Sequence, residues 1–332
     1  MTQFLNQIKT QVKKPKRIIF PESTSEAVIE AVYKTYQDDI CLPYFVGEEQ
    51  KIAELCHRLG IGEDWYVVLS PQKESPNLLK NKHIIDTGIP EEALSFLLEE
   101  PLYFATAYLR IGEVDAMVAG YDYTTGEVVS AGSMFLRKLD GDSLVSSFFV
   151  MDIPEYQGSE NNLLIFADCG VNVDPTSKEL SIIAKDTVDS AQRLLGWEPR
   201  VAFLSSSTMG SIEHERVDKV RKAYELFKKE NPELASFGEM QADAALDKRI
   251  AEKKISEKID VLGNSNILIF PDLDSGNIAY KLTSQLANAT AYGPILQGLD
   301  KPLFDLSRGS SVNEIIGVIT IASRLADSEV VK

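Results

Sequence analysis

The chain has 332 residues, 44% apolar and 25% charged, enough for a large core and two domains of ordinary size. Its 34 Lys and Arg against 50 Asp and Glu leave a net charge of −16, which argues against a nucleic-acid or anionic-membrane partner, since either needs a basic face. Cys41, Cys56 and Cys169 show no CxxC spacing, and His57, His83 and His214 have no zinc-ligand partners, so a reducing cytoplasm and no bound metal are expected.

The first residues, MTQFLNQIKTQVKKPKR, read as a short amphipathic surface helix, with no signal peptide or membrane span. RIIF at 17–20 is a strand, followed by PEST and the helical SEAVIEAVYKTY. LPYFV around Phe45 is a second strand, EEQKIAELCHRLG a helix ending at Gly60, and WYVVLS at 65–70 a third strand. Residues 71–86, rich in Pro, Asn and Lys, read as loop. Helices at 90–99 and 101–111 precede the strand VDAMVAG at 114–120. LVSSFFVMDI and LLIFADCGV are strands, and SKELSIIAKDTVDSAQRLLG is an amphipathic helix stopped by Gly196. RVAFLSS is a strand, 212–229 a helix, NILIFPDL a strand, and SGNIAYKLTSQLANATA and SSVNEIIGVITIASRLAD the last helices.

Such alternation, with near-continuous apolar strands, predicts an α/β fold whose sheets are mostly parallel and covered by helices. The polar turn Asp140-Gly141-Asp142 marks a boundary, and a second crossing is placed near 298–302. Residues 1–142 with 301–332 then form one discontinuous α/β domain and 143–300 the other. In such folds ligands sit beyond the carboxyl ends of the strands, so the loops there carry the chemistry.

Four such segments stand out. Ser205–Ser211 offers hydroxyls and a Gly before a helix, suited either to cradle a phosphate or simply to cap the helix. After NILIFP, Gly276 permits a close backbone approach, and Asn277 and Lys281 lie four apart on one helical face; they offer an amide and a cation to an anion, or belong to a capped helix with a solvated lysine. Arg308, between Ser307 and Gly309, is placed for a bidentate phosphate contact. Glu314 is a general base or, as Ser311-x-x-Glu314 suggests, a capping glutamate. Glu239 and Asp243, four apart, are a carboxylate pair on one helix face or acids at a helix start.

Taken together, FADCGVNVDPTSKEL, EPRVAFLSSSTMGS, GEMQADAAL, IFPDLDSGNIAYKL and YGPILQGLDKPLFDLSRGSS, with RIIFPES and DAMVAG earlier, resemble the phosphate acetyl/butyryltransferase family, in particular its acetyltransferases. The resemblance covers roughly residues 15–325. It implies two α/β domains around a cleft, related to isocitrate and isopropylmalate dehydrogenases, and a homodimer. It further implies coenzyme A (CoA), acetyl phosphate and phosphate as substrates, with no resident cofactor. By the same resemblance Ser307, Arg308 and Glu314 are catalytic, and Ser207, Thr208, Gly210, Ser211, Asn277, Tyr280, Lys281 and position 130 bind substrate. A carboxylate takes the CoA thiol proton, the thiolate attacks the acetyl carbonyl, and phosphate leaves.

Four departures are expected to affect rate and substrate range more than fold. The family's catalytic Asp is Glu314, its substrate-binding Arg is Ser130, and the Lys of its Ser-Thr-Lys-Gly is Met209. A basic stretch before the helix at 90 is reduced to Lys80 and Lys82. Arg110 or Arg137 could replace the cation lost at Ser130. A butyryl or propionyl transferase, or a non-catalytic CoA-binding regulatory relative, remains an alternative. A dehydrogenase of the related fold is disfavoured because no G-x-G-x-x-G follows the first strand.

Overall fold

Lys16–Phe20 (β1) is a β-favouring run in which Ile18, Ile19 and Phe20 are buried. It lies in parallel between Cys41–Val46 (β2) and Ala116–Ala119 (β4). Val67–Leu69 (β3) extends this sheet beyond β2, and Leu303–Asp305 (β11) extends it beyond β4, again in parallel. The structure is a computed structural model that describes residues 2–81, 85, 87–139, 141, 143–256 and 259–327. Lys82, His83, and Asp140 and Asp142 of the expected boundary turn lie outside them.

The chain divides into two compact units, Met1–Leu139 with Leu299–Lys332, and Asp140–Gly298. In the first, the helices are Gln3–Gln11 (α1), Glu26–Gln37 (α2), Glu49–Arg58 (α3), Pro71–Lys80 (α4), Glu91–Leu97 (α5), Pro101–Ile111 (α6), Thr125–Phe135 (α7) and Val312–Asp327 (α13). The last packs on α1, α2 and the sheet, burying Ile315, Ile319, Ile321 and Leu325. Each such side chain contributes about 1.5–3 kcal/mol by leaving water.

The second unit has the strand order β10-β5-β6-β9-β7-β8. These are Ser146–Asp152 (β5), Leu163–Ala167 (β6), Arg200–Leu204 (β7), Ala235–Met240 (β8), Ile267–Ile269 (β9) and Thr290–Gln297 (β10). β6, β9, β7 and β8 run parallel, whereas β5 is antiparallel to both β6 and β10. Its helices are Ser177–Leu195 (α8), Glu215–Glu230 (α9), Ala242–Leu246 (α10), Lys248–Lys254 (α11) and Leu273–Leu286 (α12). α8 starts in a Thr176–Glu179 capping box and ends at Gly196, which takes a left-handed φ of 66°.

Several local expectations are corrected. Residues 71–80 are helical, because Pro71 sits in the first turn, where its missing N–H is not needed, and Ser75 and Leu78 face the core. The helix expected through 291 stops at Leu286, and β10 follows. Glu239 lies in strand β8 while Asp243 lies in α10, so the two share no helix face.

Candidate active site

In the first unit, β11 ends at Asp305 and the exposed Ser307, Arg308 and Gly309 follow. Gly309 takes a φ of 87°, which a side chain would resist. The Ser310 N–H and hydroxyl both donate to the Ser307 carbonyl, at 2.9 and 2.7 Å, and close a turn. Ser311 then caps α13. Its N–H and hydroxyl donate to Glu314 Oε2 at 2.7 and 2.8 Å, and the Glu314 N–H returns to Ser311 Oγ at 3.3 Å. The capping box is therefore formed, and Glu314 is held beside the Ser307–Arg308 turn.

Arg308 makes no hydrogen bond or ion pair among the described residues. Its field reaches Glu127 at the start of α7, whose carboxyl is held below its ordinary value first by the Thr124 N–H and hydroxyl and then by Arg308. Ser130 is exposed on the same helix. Arg110 does not stand in for an arginine there: its Nη1 is 2.8 Å from Asp300 Oδ2 and its side chain is buried. Arg137 is exposed.

Sequence reasoning passed over Asp305, whose only signal is an acid closing an apolar strand. The residue is fully buried, with Oδ2 accepting from Thr125 Oγ1 at 2.6 Å and Oδ1 lacking any hydrogen-bond partner. Gly120 faces it so closely that a Cβ there would lie 1.9 Å from Oδ1. Burial pushes the Asp305 carboxyl up to about 7; the Thr125 hydroxyl opposes this and the nearby Glu22 charge adds to it.

In the second unit, the serine-rich loop after β7 is turned onto the protein itself. Ser207 Oγ and the Gly210 N–H donate to Glu239 Oε1 at 2.9 and 2.7 Å, and Arg221 Nε lies 3.1 Å from Oε2. Burial pushes the Glu239 carboxyl up, but Arg221, Gly210 and Ser207 outweigh it and leave the group below its ordinary value. Ser211 Oγ accepts the Thr208 N–H, and Thr208 Oγ1 accepts the Gln241 N–H. Helix α9 begins only at Glu215, capped by His214, so Ser205–Ser211 is not its first turn. Asp243 is met by Lys254 Nζ at 2.7 Å.

On α12, Gly276 allows the approach expected of it, to the chain itself: a Cβ there would lie 2.5 Å from the Asp168 carbonyl. Asn277 Nδ2 donates to the Cys169 carbonyl at 3.1 Å. Tyr280 is 9% exposed and stacks on Phe149 with centroids 4.2 Å apart, which places it in the core. The exposed Lys281 holds its ammonium 5.0 Å above the Tyr280 ring. Among the described residues no cluster of three His, Cys, Asp or Glu suits a metal ion, and no helix is long and apolar enough to cross a membrane.

A family profile described as phosphate acetyl/butaryl transferase matches residues 3–323. The chain belongs to that family. It is 42% identical to the phosphate acetyltransferase of Clostridium acetobutylicum, over 92% of this chain and 93% of that one. It is 39% identical to that of Acetivibrio thermocellus, over 96% and 97%. The crystal structure of a phosphotransacetylase from Streptococcus pyogenes superposes with a TM-score of 0.88 at 33% identity, covering 98% of this chain and 99% of that one. The structure places Ser307 and Arg308 on the turn that leads into the helix start carrying Glu314, while Ser207 and Gly210 donate to Glu239, Thr208 meets Gln241, and Ser211 accepts the Thr208 N–H.

Asp305 gives the first test. A carboxyl raised in the folded state favours folding fully below its unfolded value of about 4, and that contribution is lost as pH rises through about 7. Asp305→Asn should remove up to roughly 1.4 kcal/mol per pH unit of that decline between pH 4 and 7, read from urea melts. Parallel stability profiles for the two proteins would show that Asp305 is ionised throughout.

Proposed function

We propose that the chain transfers an acetyl group reversibly between CoA and inorganic phosphate, with acetyl-CoA and acetyl phosphate as the acyl donors. The observation that carries this reading is Arg308: an exposed, uncommitted guanidinium in an acidic chain, fixed one turn from a capping glutamate. Sequence identity to phosphate acetyltransferases supports the acetyl chain over butyryl or propionyl.

In the forward direction Glu314 takes the proton of the CoA thiol, and the thiolate sulfur bonds to the acetyl carbonyl carbon. The bond from that carbon to the phosphate oxygen then breaks, and its electron pair leaves with phosphate, which Arg308 holds through a bidentate contact. Ser307 donates a hydrogen bond to the reacting carbonyl or phosphate oxygen. CoA is a substrate, and no covalent enzyme intermediate or resident cofactor enters. Asn277 and Lys281 bind substrate from α12, Tyr280 supports Lys281 from the core, and Ser207, Thr208, Gly210 and Ser211 act by shaping their loop. Ser130 offers a hydroxyl where the family pattern has a cation, which weakens saturation by anionic substrates.

A homodimer in a reducing cytoplasm completes the reading. The cysteines are free and buried. Ile278, Leu282 and Leu286, spaced by four along α12, are 56%, 52% and 81% exposed and form an apolar stripe suited to a second copy.

Thioester absorbance should report acetyl phosphate-dependent acylation of CoA. Arg308→Ala should lower kcat/KM by at least about a hundredfold and Arg308→Lys nearly as much, because a point charge does not replace a planar fork; wild-type kinetics in either would remove Arg308 from the site. Glu314→Gln keeps an acceptor for the cap and loses the base, so kcat should collapse with little change in Tm. The reverse pattern, a silent Gln and an Ala that costs about 1 kcal/mol, would leave Glu314 a cap alone. Leu282→Glu combined with Leu286→Glu should sediment as a monomer, and an unchanged dimer would place the interface elsewhere.

A further inference from the structure

Asp305 is fully buried, and its Oδ1 has no donor, a costly arrangement that calls for a reason. The bond its Oδ2 accepts, from Thr125 Oγ1 at 2.6 Å, joins segments 180 residues apart in the chain. On one side Asp305 closes β11, and Ser307 and Arg308 follow it. On the other, Thr125 is the first residue of α7, whose first turn carries Glu127.

The body of α7 is placed by packing. Val128, Ala131 and Phe135 are buried, and at Gly132 the helix lies so near β11 that a Cβ would meet Leu303 Cδ2 at 2.6 Å. The loop before the helix is held by Glu22, which accepts the N–H groups of Tyr121, Asp122 and Tyr123. Among the described residues, Thr125–Asp305 is the one side-chain hydrogen bond that ties the first turn of α7 to the strand bearing Arg308. Glu127 is exposed and bonds only within its own cap, with Oε2 accepting the Thr124 N–H and hydroxyl at 2.7 and 2.8 Å. It lies within the field of Arg308, yet the two form no ion pair.

A carboxylate free to reach Arg308 would compete with a phosphate for the same planar fork. We propose that Asp305 is a positioning residue for Arg308: through Thr125 it fixes the first turn of α7 where Glu127 stays off the guanidinium, which is left open to a phosphate. This rests on Arg308 holding phosphate in the reaction proposed above. Gly120 belongs to the same arrangement, since a Cβ there would lie 1.9 Å from Asp305 Oδ1 and push the carboxyl away from Thr125.

The probe is inorganic phosphate, titrated calorimetrically into the full chain below the lowest melting midpoint of the set. Thr125→Val and Thr125→Ala, which both lack the hydroxyl, should bind it about fivefold more weakly than the wild type, and Thr125→Ser, which keeps it, within about twofold. Adding Glu127→Gln to Thr125→Val removes the competing charge, keeps an acceptor for the cap, and should restore affinity to within about twofold of the wild type. A bond that serves stability alone gives no such rescue. In kinetics Thr125→Val should raise KM for acetyl phosphate about fivefold and KM for CoA by less than about twofold. Unchanged phosphate binding in both variants without the hydroxyl overturns the proposal. So does a loss that Glu127→Gln does not restore, or a wild type that binds no phosphate at tens of millimolar. Acetyl transfer with phosphate binding insensitive to Thr125 sinks the positioning role and spares the proposed function. Weakened and restored binding without any acetyl transfer does the reverse.

Discussion

Buried carboxylates that collect the N–H groups of turns hold the loops of this acidic chain in place. A loop leaving the end of a parallel strand exposes donors that no neighbouring strand can accept, and each donor left unpaired when buried costs about 1–3 kcal/mol. In the first unit Glu22 accepts from the N–H groups of Tyr121, Asp122 and Tyr123. In the second, Asp168 accepts from Gly170, Val171 and Asn172, and Glu239 accepts from Gly210 and the Ser207 hydroxyl. An isolated buried carboxylate would be expensive, but several N–H donors, or the Arg221 guanidinium at Glu239, replace its hydration. Asp305 has a hydroxyl donor at Oδ2 and none at Oδ1, and burial first, then the nearby Glu22 charge, raises its carboxyl; burial raises Glu22 as well, against the pull of its three N–H donors.

The same accounting applies to cations. In a chain with 34 basic residues against 50 acidic ones, several of the less exposed arginines and lysines are tied to a carboxylate. Arg110 is fixed to Asp300, Arg200 to Glu160, Arg17 to Asp115 and Lys254 to Asp243. A cation left without such a partner on a loop at a strand end is therefore informative in a way that its residue type alone is not. Arg308 is of this kind, and it sits where a parallel sheet presents its carboxyl edge.

What the sequence made legible was local. The Gly196 stop and the Ser311–Glu314 box are a single residue and a spacing of three, and each forms as read. The SRG turn was legible because Gly309 and the serines define it within a few residues. The failures share the opposite property. Glu239 and Asp243 have helical spacing, yet Glu239 sits in strand β8, at an irregularity between Gly238 and Met240, which pair with β7 on either side of it. Segment 205–211 has the composition of an anion cradle, but its Ser207 hydroxyl and Gly210 N–H are turned to Glu239, some thirty residues further on. Asp305 acquires its character from Thr125, 180 residues away, and from Gly120, so no window of sequence contains the environment that raises it.

The segment from Ser307 to Glu314, proposed above as catalytic, is held by local devices. Ser307 accepts two hydrogen bonds from Ser310, and the next residue, Ser311, accepts from and donates to Glu314. Five hydrogen bonds thus order the backbone that carries Ser307 and Arg308 and hold the Glu314 carboxylate at the start of the buried helix α13. A glutamate suits this better than an aspartate, because the extra methylene lets it reach back to the N-cap N–H. Glu314 is therefore a carboxylate whose orientation is set by the helix start. Pre-organisation of that kind is worth most when the reacting groups are few, since misplacement by about 1 Å costs on the order of a hundredfold in rate. A chain that lacks the arginine at Ser130 relies correspondingly more on how firmly the remaining three are held.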